Sequence, residues 1–143
     1  MQKDNWYCDR ILWKAKQHNL FDKRCCKFSD LSVEQVRAIE AVISVEIKPV
    51  IVFWESQNKW TVLGAKSVCS FYDGELVLCD LDSIDKQVNL LHPSGIDRED
   101  VKSKSEFIIV GSEGKNIWAP SGSELFALMN ILQMFPLNEK CSA

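Results

Sequence analysis

The sequence predicts an α+β fold with two N-terminal helices, an antiparallel meander of about six or seven strands, and a buried C-terminal helix. Apolar residues recur at helical spacing up to about residue 48. From there, short β-branched and aromatic runs alternate with turn residues. Such short links favour antiparallel pairing, because parallel strands need long crossover connections. A last apolar stretch follows Pro120 and predicts the closing helix.

The length and composition predict one domain. The chain has 143 residues, of which 46% are hydrophobic and 26% are charged, a balance typical of globular proteins. A chain of this length suits a single hydrophobic core, since two half-sized domains would each bury too little surface. We therefore expect one domain over residues 1–143, with a helical part at 1–48 and a sheet with its closing helix at 49–137.

Two helices are predicted in the N-terminal part. Residues from about Asn5 to His18 carry apolar side chains between charged ones at helical spacing. Ser32, with Gln35 three positions later, has the pattern of a capping box, which marks the start of a second helix. Apolar residues then recur at helical spacing as far as Ile47, so we expect this helix to stop before Pro49.

Two strand hairpins are predicted next. Val50–Trp54 and Trp60–Leu63 are β-branched and aromatic runs on either side of a polar stretch. Lys66–Tyr72 and Glu75–Leu81 then flank Asp73-Gly74. This dipeptide accepts the positive φ angles of a two-residue hairpin turn, so the second hairpin is the strongest local prediction in the chain.

A further strand and a third hairpin complete the predicted meander. Gln87–Leu91 has the composition of a strand, and a long polar loop runs from His92 to Ser105. Strands at Phe107–Val110 and Asn116–Ala119 then bracket a Gly-Ser-Glu-Gly turn.

The closing helix is predicted from its cap and its apolar surface. Ser121 and Glu124 form a second capping-box pattern. The helix Ser123–Phe135 is apolar on nearly every side, so we expect it to be largely buried until Pro136 ends it.

The charge balance restricts the partners that the chain can bind. A formal net charge of -3 and a pI near 5.4 argue against direct nucleic-acid binding, which needs a basic face, and suit a basic protein partner. No apolar stretch is long enough to span a membrane. The first ten residues also lack the basic start and apolar run of a secretory signal, so we expect a cytoplasmic protein.

Six cysteines and two histidines are the residues most open to a catalytic interpretation. In the cytoplasm we expect all six thiols to be reduced. No cysteine pair has zinc-ligand spacing, and neither His18 nor His92 lies in a recognisable motif. A thiol enzyme whose Cys and His meet only in the folded chain stays an alternative. We predict a binding protein rather than an enzyme, with no catalytic residue, no metal and no cofactor.

Five acidic residues cluster around the second hairpin and are the candidate partner-binding site: Asp73, Glu75, Asp80, Asp82 and Asp85. Paired carboxylates can perform acid–base chemistry, but this spacing matches neither a calcium loop nor another metal motif. A solvated strand end is the simplest interpretation. The functional alternative is an acidic surface, near one edge of the sheet, that meets Lys or Arg of a partner protein.

Part of the sheet region resembles the bacterial PH-like and GRAM domains. The resemblance rests on Lys59–Val68, on the Asp73-Gly74 hairpin and on Leu78–Ile84, with Lys66 as the basic turn residue and Asp82 as the acidic strand end. It implies a PH-like fold over roughly residues 50–135 and, as a function, an adaptor or lipid-surface-binding domain. The first hairpin differs from lipid-binding versions, since its loop has one lysine and one acid.

In overall type, a small acidic domain with its own N-terminal helical part is similar to the immunity proteins of bacterial contact-dependent growth inhibition and related toxin systems. No motif defines that class. The resemblance implies a cytoplasmic protein that binds and neutralises one cognate toxin domain, often a nuclease. An acidic inhibitor suits a cationic nuclease, because opposite charges speed encounter and support selectivity.

Overall fold

The computed structural model describes residues 3–43, 45–90 and 105–136. The helices are α1 (Lys3–Gln17), α2 (Val33–Glu40) and α3 (Ser123–Leu132). The strands are β1 (Cys26–Lys27), β2 (Pro49–Ser56), β3 (Lys59–Gly64), β4 (Ser67–Tyr72), β5 (Glu75–Asp80), β6 (Val88–Leu90), β7 (Phe107–Val110) and β8 (Lys115–Trp118). Single 3₁₀ turns lie at Leu20–Asp22, Phe28–Asp30, Val45–Ile47 and Leu81–Ser83.

The strands form two antiparallel sheets, which confirms the predicted α+β class. The first sheet has the order β1-β2-β3-β4-β5, and the second has the order β6-β7-β8. The seven strands from β2 to β8 follow the predicted meander, which divides between the two sheets after β5. Asp73 and Gly74 form the predicted turn between β4 and β5, with φ angles of 53° and 77°.

Strand β1 lies in a segment between the two N-terminal helices for which the sequence predicted no strand. Cys26 pairs with Val52 and Lys27 with Ile51, so this segment extends the first sheet beyond β2. Two residues are too few to show the period of a strand, and tertiary pairing alone places them there.

Helix α2 begins as predicted and ends earlier than predicted. Ser32 and Gln35 make both hydrogen bonds of the capping box. The helix stops at Glu40 instead of continuing to Ile47, and Val45–Ile47 is a 3₁₀ turn.

The chain after α2 is bonded to the sheet. The carbonyl oxygens of Ile47 and Lys48 accept hydrogen bonds from the amides of Lys66 and Ala65, so the 3₁₀ turn is attached to the end of β3 and the link to β4. Gly64 permits the approach, because a Cβ atom there would overlap the Ile47 carbonyl oxygen.

The inner face of the first sheet is buried beneath the second sheet and the two longer helices. One hydrophobic cluster joins residues from α1, both sheets and α3. Its largest fully buried side chains include Trp118, Tyr7, Phe53, Phe135, Ile11 and Leu63. Tyr7 of α1 packs against Phe135 beyond α3, with ring centroids 4.8 Å apart.

A buried ring of hydrogen bonds attaches the edge strand β8 to this inner face. Thr61 Oγ1 donates to the Trp118 carbonyl oxygen, and the Trp118 amide donates to Ser70 Oγ, 2.9 Å away. The Ser70 hydroxyl completes the ring at 2.6 Å from Thr61 Oγ1. Among the described residues, no strand pairs with this side of β8. The two hydroxyls therefore supply the hydrogen bonds of the Trp118 amide and carbonyl oxygen.

Helix α3 is buried as predicted, but its cap is not the predicted one. Gly122 occupies the N-cap position, and no side chain caps the helix there. Glu124 instead accepts a 2.6 Å hydrogen bond from Arg24 Nε, while Arg24 also donates to the Ser121 carbonyl oxygen. The helix ends at Leu132, three residues before the predicted end, although Phe135 is still fully buried.

The outer face of the first sheet is covered only across its middle. Ile39, Ile43 and Ile47 lie over this face in a second cluster, which also contains Trp60, Val62 and Cys69. The spacing that predicted one long helix therefore identified the buried positions correctly. Ile39 lies in α2, Ile43 in the bend that follows and Ile47 in the 3₁₀ turn.

Three parts of the sequence prediction lie outside the described residues. They are Leu91 at the end of the predicted strand, the polar loop from His92 as far as residue 104, and the chain from residue 137 onward, which includes Cys141. Ser105, the last residue of that loop, is described and buried.

Candidate functional site

The five candidate carboxylates lie along β5, the edge strand of the first sheet, in two separate groups. Asp73 and Glu75 stand at the turn end of the strand. Asp80 ends the strand, and Asp82 and Asp85 follow it. Since a strand rises about 3.3 Å per residue, Glu75 and Asp80 are about 17 Å apart along the chain. The residues therefore share an edge but do not form one cluster.

Two of these carboxylates stabilise the fold. Asp80 Oδ1 accepts a hydrogen bond of 2.8 Å from the Ser67 hydroxyl, and Asp82 Oδ1 accepts one of 2.6 Å from the Tyr7 hydroxyl. The second bond joins α1 to the 3₁₀ turn at Leu81–Ser83. All five carboxylates are exposed. Since Asp80 and Asp82 also hold the fold together, Asp73, Glu75 and Asp85 are the better positions for testing a partner's charge.

Exposed leucines separate the two acidic groups. They were not among the site residues predicted from the sequence. Leu76 and Leu78 are each 40% exposed on the outer face of β5. They continue two rows of apolar side chains across the sheet, since Leu76 lies opposite Phe71 and Leu78 opposite Cys69. The alternation in Glu75–Asp80 shows that these leucines share a face. It does not show that α2 stops short of covering that face.

An open groove runs beside these leucines, with a volume of about 350 Å³. Its apolar lining comes from Leu76, Leu78, Val42, Ile43 and Ile47. The remaining lining residues are Glu46, Lys66, Ser67 and Asp80. The groove therefore combines a mainly apolar lining with three charged side chains.

A smaller and more polar cleft, of about 190 Å³, lies on the other side of β5. It separates the end of β5 from the turn between β7 and β8, and it is lined by Asp80, Ser83, Ser112 and Glu113 among others. Lys115 lies within it and donates a 2.6 Å hydrogen bond to the Leu78 carbonyl oxygen. Lys115 Nζ is also 3.6 Å from Glu113 Oε2.

The described cysteines lack the features of an activated nucleophile. Burial raises the pKa of Cys69 to about 12 and also raises the pKa values of Cys25 and Cys79. Since the thiolate is the reactive form, these three thiols are held in their less reactive state. Cys8, Cys25, Cys26, Cys69 and Cys79 are free, without a disulfide.

One of the two histidines, His18, lies among the described residues. Burial, followed by the charges of Lys14 and Lys23, lowers the pKa of His18. His92 lies outside the described residues. In the part of the chain that the structure describes, no group of three His, Cys, Asp or Glu side chains is arranged to hold a metal ion.

The first hairpin offers little free positive charge for an anionic lipid. Its lysine, Lys59, is 3.6 Å from Glu55 and 3.9 Å from Glu106, and its ammonium group lies 5.2 Å from the Trp118 ring centroid. Within residues 3–43, 45–90 and 105–136, no helix combines the length and the apolarity that a membrane span requires.

No family model, curated protein or solved structure matches this chain. The PH-like resemblance and the similarity in type to immunity proteins therefore stay predictions. The sheet edge itself is the basis for any functional argument.

Proposed function

We propose that this chain is a non-catalytic, cytoplasmic immunity protein that neutralises a basic bacterial toxin domain, such as a nuclease, by binding it at the β5 edge. One observation carries the proposal: Leu76 and Leu78 are exposed between two groups of carboxylates. An apolar centre with a charged rim is the usual anatomy of a protein interface. The same arrangement suits a partner that presents apolar side chains flanked by Lys or Arg.

The distribution of charge along the chain supports a basic partner at this edge. Residues 1–27 contain seven of the 17 Lys and Arg residues, but only three of the 20 Asp and Glu residues. The acidic excess therefore belongs to the rest of the chain, which includes β5 and its carboxylates. A negative surface raises the rate at which a positively charged partner is encountered.

The proposal predicts that a neighbouring gene encodes the toxin domain, and this domain is the partner for the test. Co-expression is expected to protect cells from that toxin, and the purified proteins are expected to bind with an affinity that falls as salt rises. Glu75→Lys and Asp85→Lys are expected to slow association and to reduce the salt dependence, because both side chains are exposed rim charges.

Asp9→Lys is the matched control, since Asp9 is exposed on α1 instead of β5. It is expected to bind like the wild type. If Asp9→Lys weakens binding and the two β5 variants do not, the interface lies elsewhere. If the toxin does not bind and vesicles with anionic lipid do, the adaptor hypothesis replaces this proposal.

A further inference from the structure

The pairing of β4 with β5 determines which amides and carbonyls of β5 point toward β4 and which point away from the sheet. Tyr72 and Glu75 flank a two-residue turn and face each other, so they form a hydrogen-bonded pair. The alternation along the strand then directs the amides and carbonyls of Glu75, Val77 and Cys79 toward β4. Those of Leu76, Leu78 and Asp80 point away from the sheet. The bond from Lys115 Nζ to the Leu78 carbonyl oxygen agrees with this assignment.

Within the described ranges, no strand pairs with this outer side of β5. Unpaired main-chain groups on an edge strand are a template for another strand. From this edge and the two clefts beside it we infer that an extended segment of the partner adds to β5 as a further strand. The inference rests on the proposed function, because it describes how the partner occupies the same edge.

The two clefts specify the side chains of that segment. In an added strand, successive side chains point to opposite faces of the sheet. One set enters the apolar groove beside Leu76, Leu78 and Ile43. The other set points toward the polar cleft, where Glu113 provides a carboxylate. The Asp80 carboxylate lies on the groove face, since it bonds to Ser67 in the groove lining. The segment that fits has apolar and basic side chains in alternation.

Charge argues for this occupant over a second copy of the chain. An antiparallel β5 from another copy would bring more carboxylates to an edge that already has Glu75 and Asp80. Like charges on neighbouring strands destabilise the pairing. A basic segment places opposite charges at the same positions.

Lys115 limits access to this edge. Its ammonium group donates a hydrogen bond to the Leu78 carbonyl oxygen. An amide of the added strand has to bind the same oxygen. Lysine at a sheet edge is a common protection against unwanted strand pairing. The partner therefore displaces Lys115 when it binds.

The test uses a fluorescent peptide with seven residues of alternating Lys and Val, and a control in which Glu replaces Lys. The Lys peptide is expected to bind and to protect the amides of Leu76 and Leu78 from hydrogen exchange. N-methylation of one alternating set of residues is expected to weaken binding at least about tenfold, and methylation of the other set much less, because only one set directs its N–H groups at β5.

Lys115→Met supplies a second measurement, with Lys86→Met as its control for the loss of one nearby positive charge. Lys86 Nζ bonds weakly to the Met134 carbonyl oxygen at 3.4 Å and does not touch the β5 edge groups. Removing the Lys115 bond is expected to tighten peptide binding about three- to tenfold more than the control does.

Three results would overturn strand addition. The first is binding that both methylated peptides retain equally, the second is binding without protection of Leu76 and Leu78, and the third is a chain whose β5 amides are already protected in a self-associated form. The first two leave the proposed function intact, because the toxin can still bind at this edge in another way. Loss of toxin protection, by contrast, refutes the proposed function itself.

Discussion

The two faces of the first sheet are built from similar residues and meet different surroundings. On the inner face, Phe53, Leu63 and Val68 are fully buried beneath the second sheet, α1 and α3. The outer face is equally apolar over β2 to β4, but its cover ends before Leu76 and Leu78. Hydrophobic composition thus does not distinguish a face that is fully covered from one that leaves apolar side chains exposed. The reach of the covering layer makes that distinction.

The largest expected difference between the faces concerns a leucine on each side. Leu128→Ala leaves a cavity in the fully buried inner core, so it is expected to lower the free energy of unfolding by about 2 to 5 kcal/mol. Leu78→Ala on the outer face is expected to change it by about 0.5 kcal/mol or less, since Leu78 is 40% exposed. Urea unfolding of both variants measures the comparison. Equal losses would mean that the outer groove belongs to the core.

A smaller effect is expected from the hydrogen-bonded ring on the inner face. Ser70→Ala leaves the buried Trp118 amide without its acceptor, which is expected to lower the free energy of unfolding by about 1 to 3 kcal/mol. Combined with Thr61→Val, it is expected to show a clear coupling energy, because both hydroxyls belong to one ring. Purely additive effects in the urea midpoints would argue that the ring is not a unit.

The smallest expected effect is a pH dependence of stability that comes from the Arg24–Glu124 pair. Burial alone raises the pKa of Glu124, but the hydrogen bonds from Arg24 and Ser123 and the Arg24 charge outweigh it and lower that pKa. The contribution to stability is therefore fully present above the pKa of the unfolded chain, and it is lost as pH falls through the folded value.

Glu124→Gln is expected to flatten the dependence of stability on pH in the acid range, as followed by thermal unfolding at several pH values. Glu34→Gln, at an exposed position in α2, is the control and is expected to keep the wild-type dependence. If both variants respond to acid like the wild type, the Arg24–Glu124 pair does not stabilise the fold.

Local signals predicted most of the elements. The Asp73-Gly74 turn and the Ser32–Gln35 capping box depend on neighbouring residues alone, so the sequence was sufficient for both. The prediction of a capping box at Ser121 and Glu124 was wrong. The Glu124 carboxylate instead accepts a hydrogen bond from Arg24, about 100 positions away in sequence. The early end of α2 at Glu40 also left no local signal, since the apolar spacing continues to Ile47.

The candidate site was only partly predictable for the same reason. The sequence located the carboxylates near one edge of the sheet, and β5 is that edge. It did not show that Tyr7 binds Asp82, nor that the covering layer stops before Leu76. Both features depend on how distant parts of the chain pack, and neither leaves a local pattern.

The contact at Gly64 has a consequence for the speed of the proposed binding. Because the 3₁₀ turn at Val45–Ile47 is bonded to the sheet through the backbone, one wall of the groove is held in place before any partner arrives. A preformed surface avoids the entropy cost of ordering a loop during association. The association rate should then depend on diffusion and charge, without a slow conformational step. A bulkier residue at Gly64 should slow association, because it would displace the 3₁₀ turn that forms this wall.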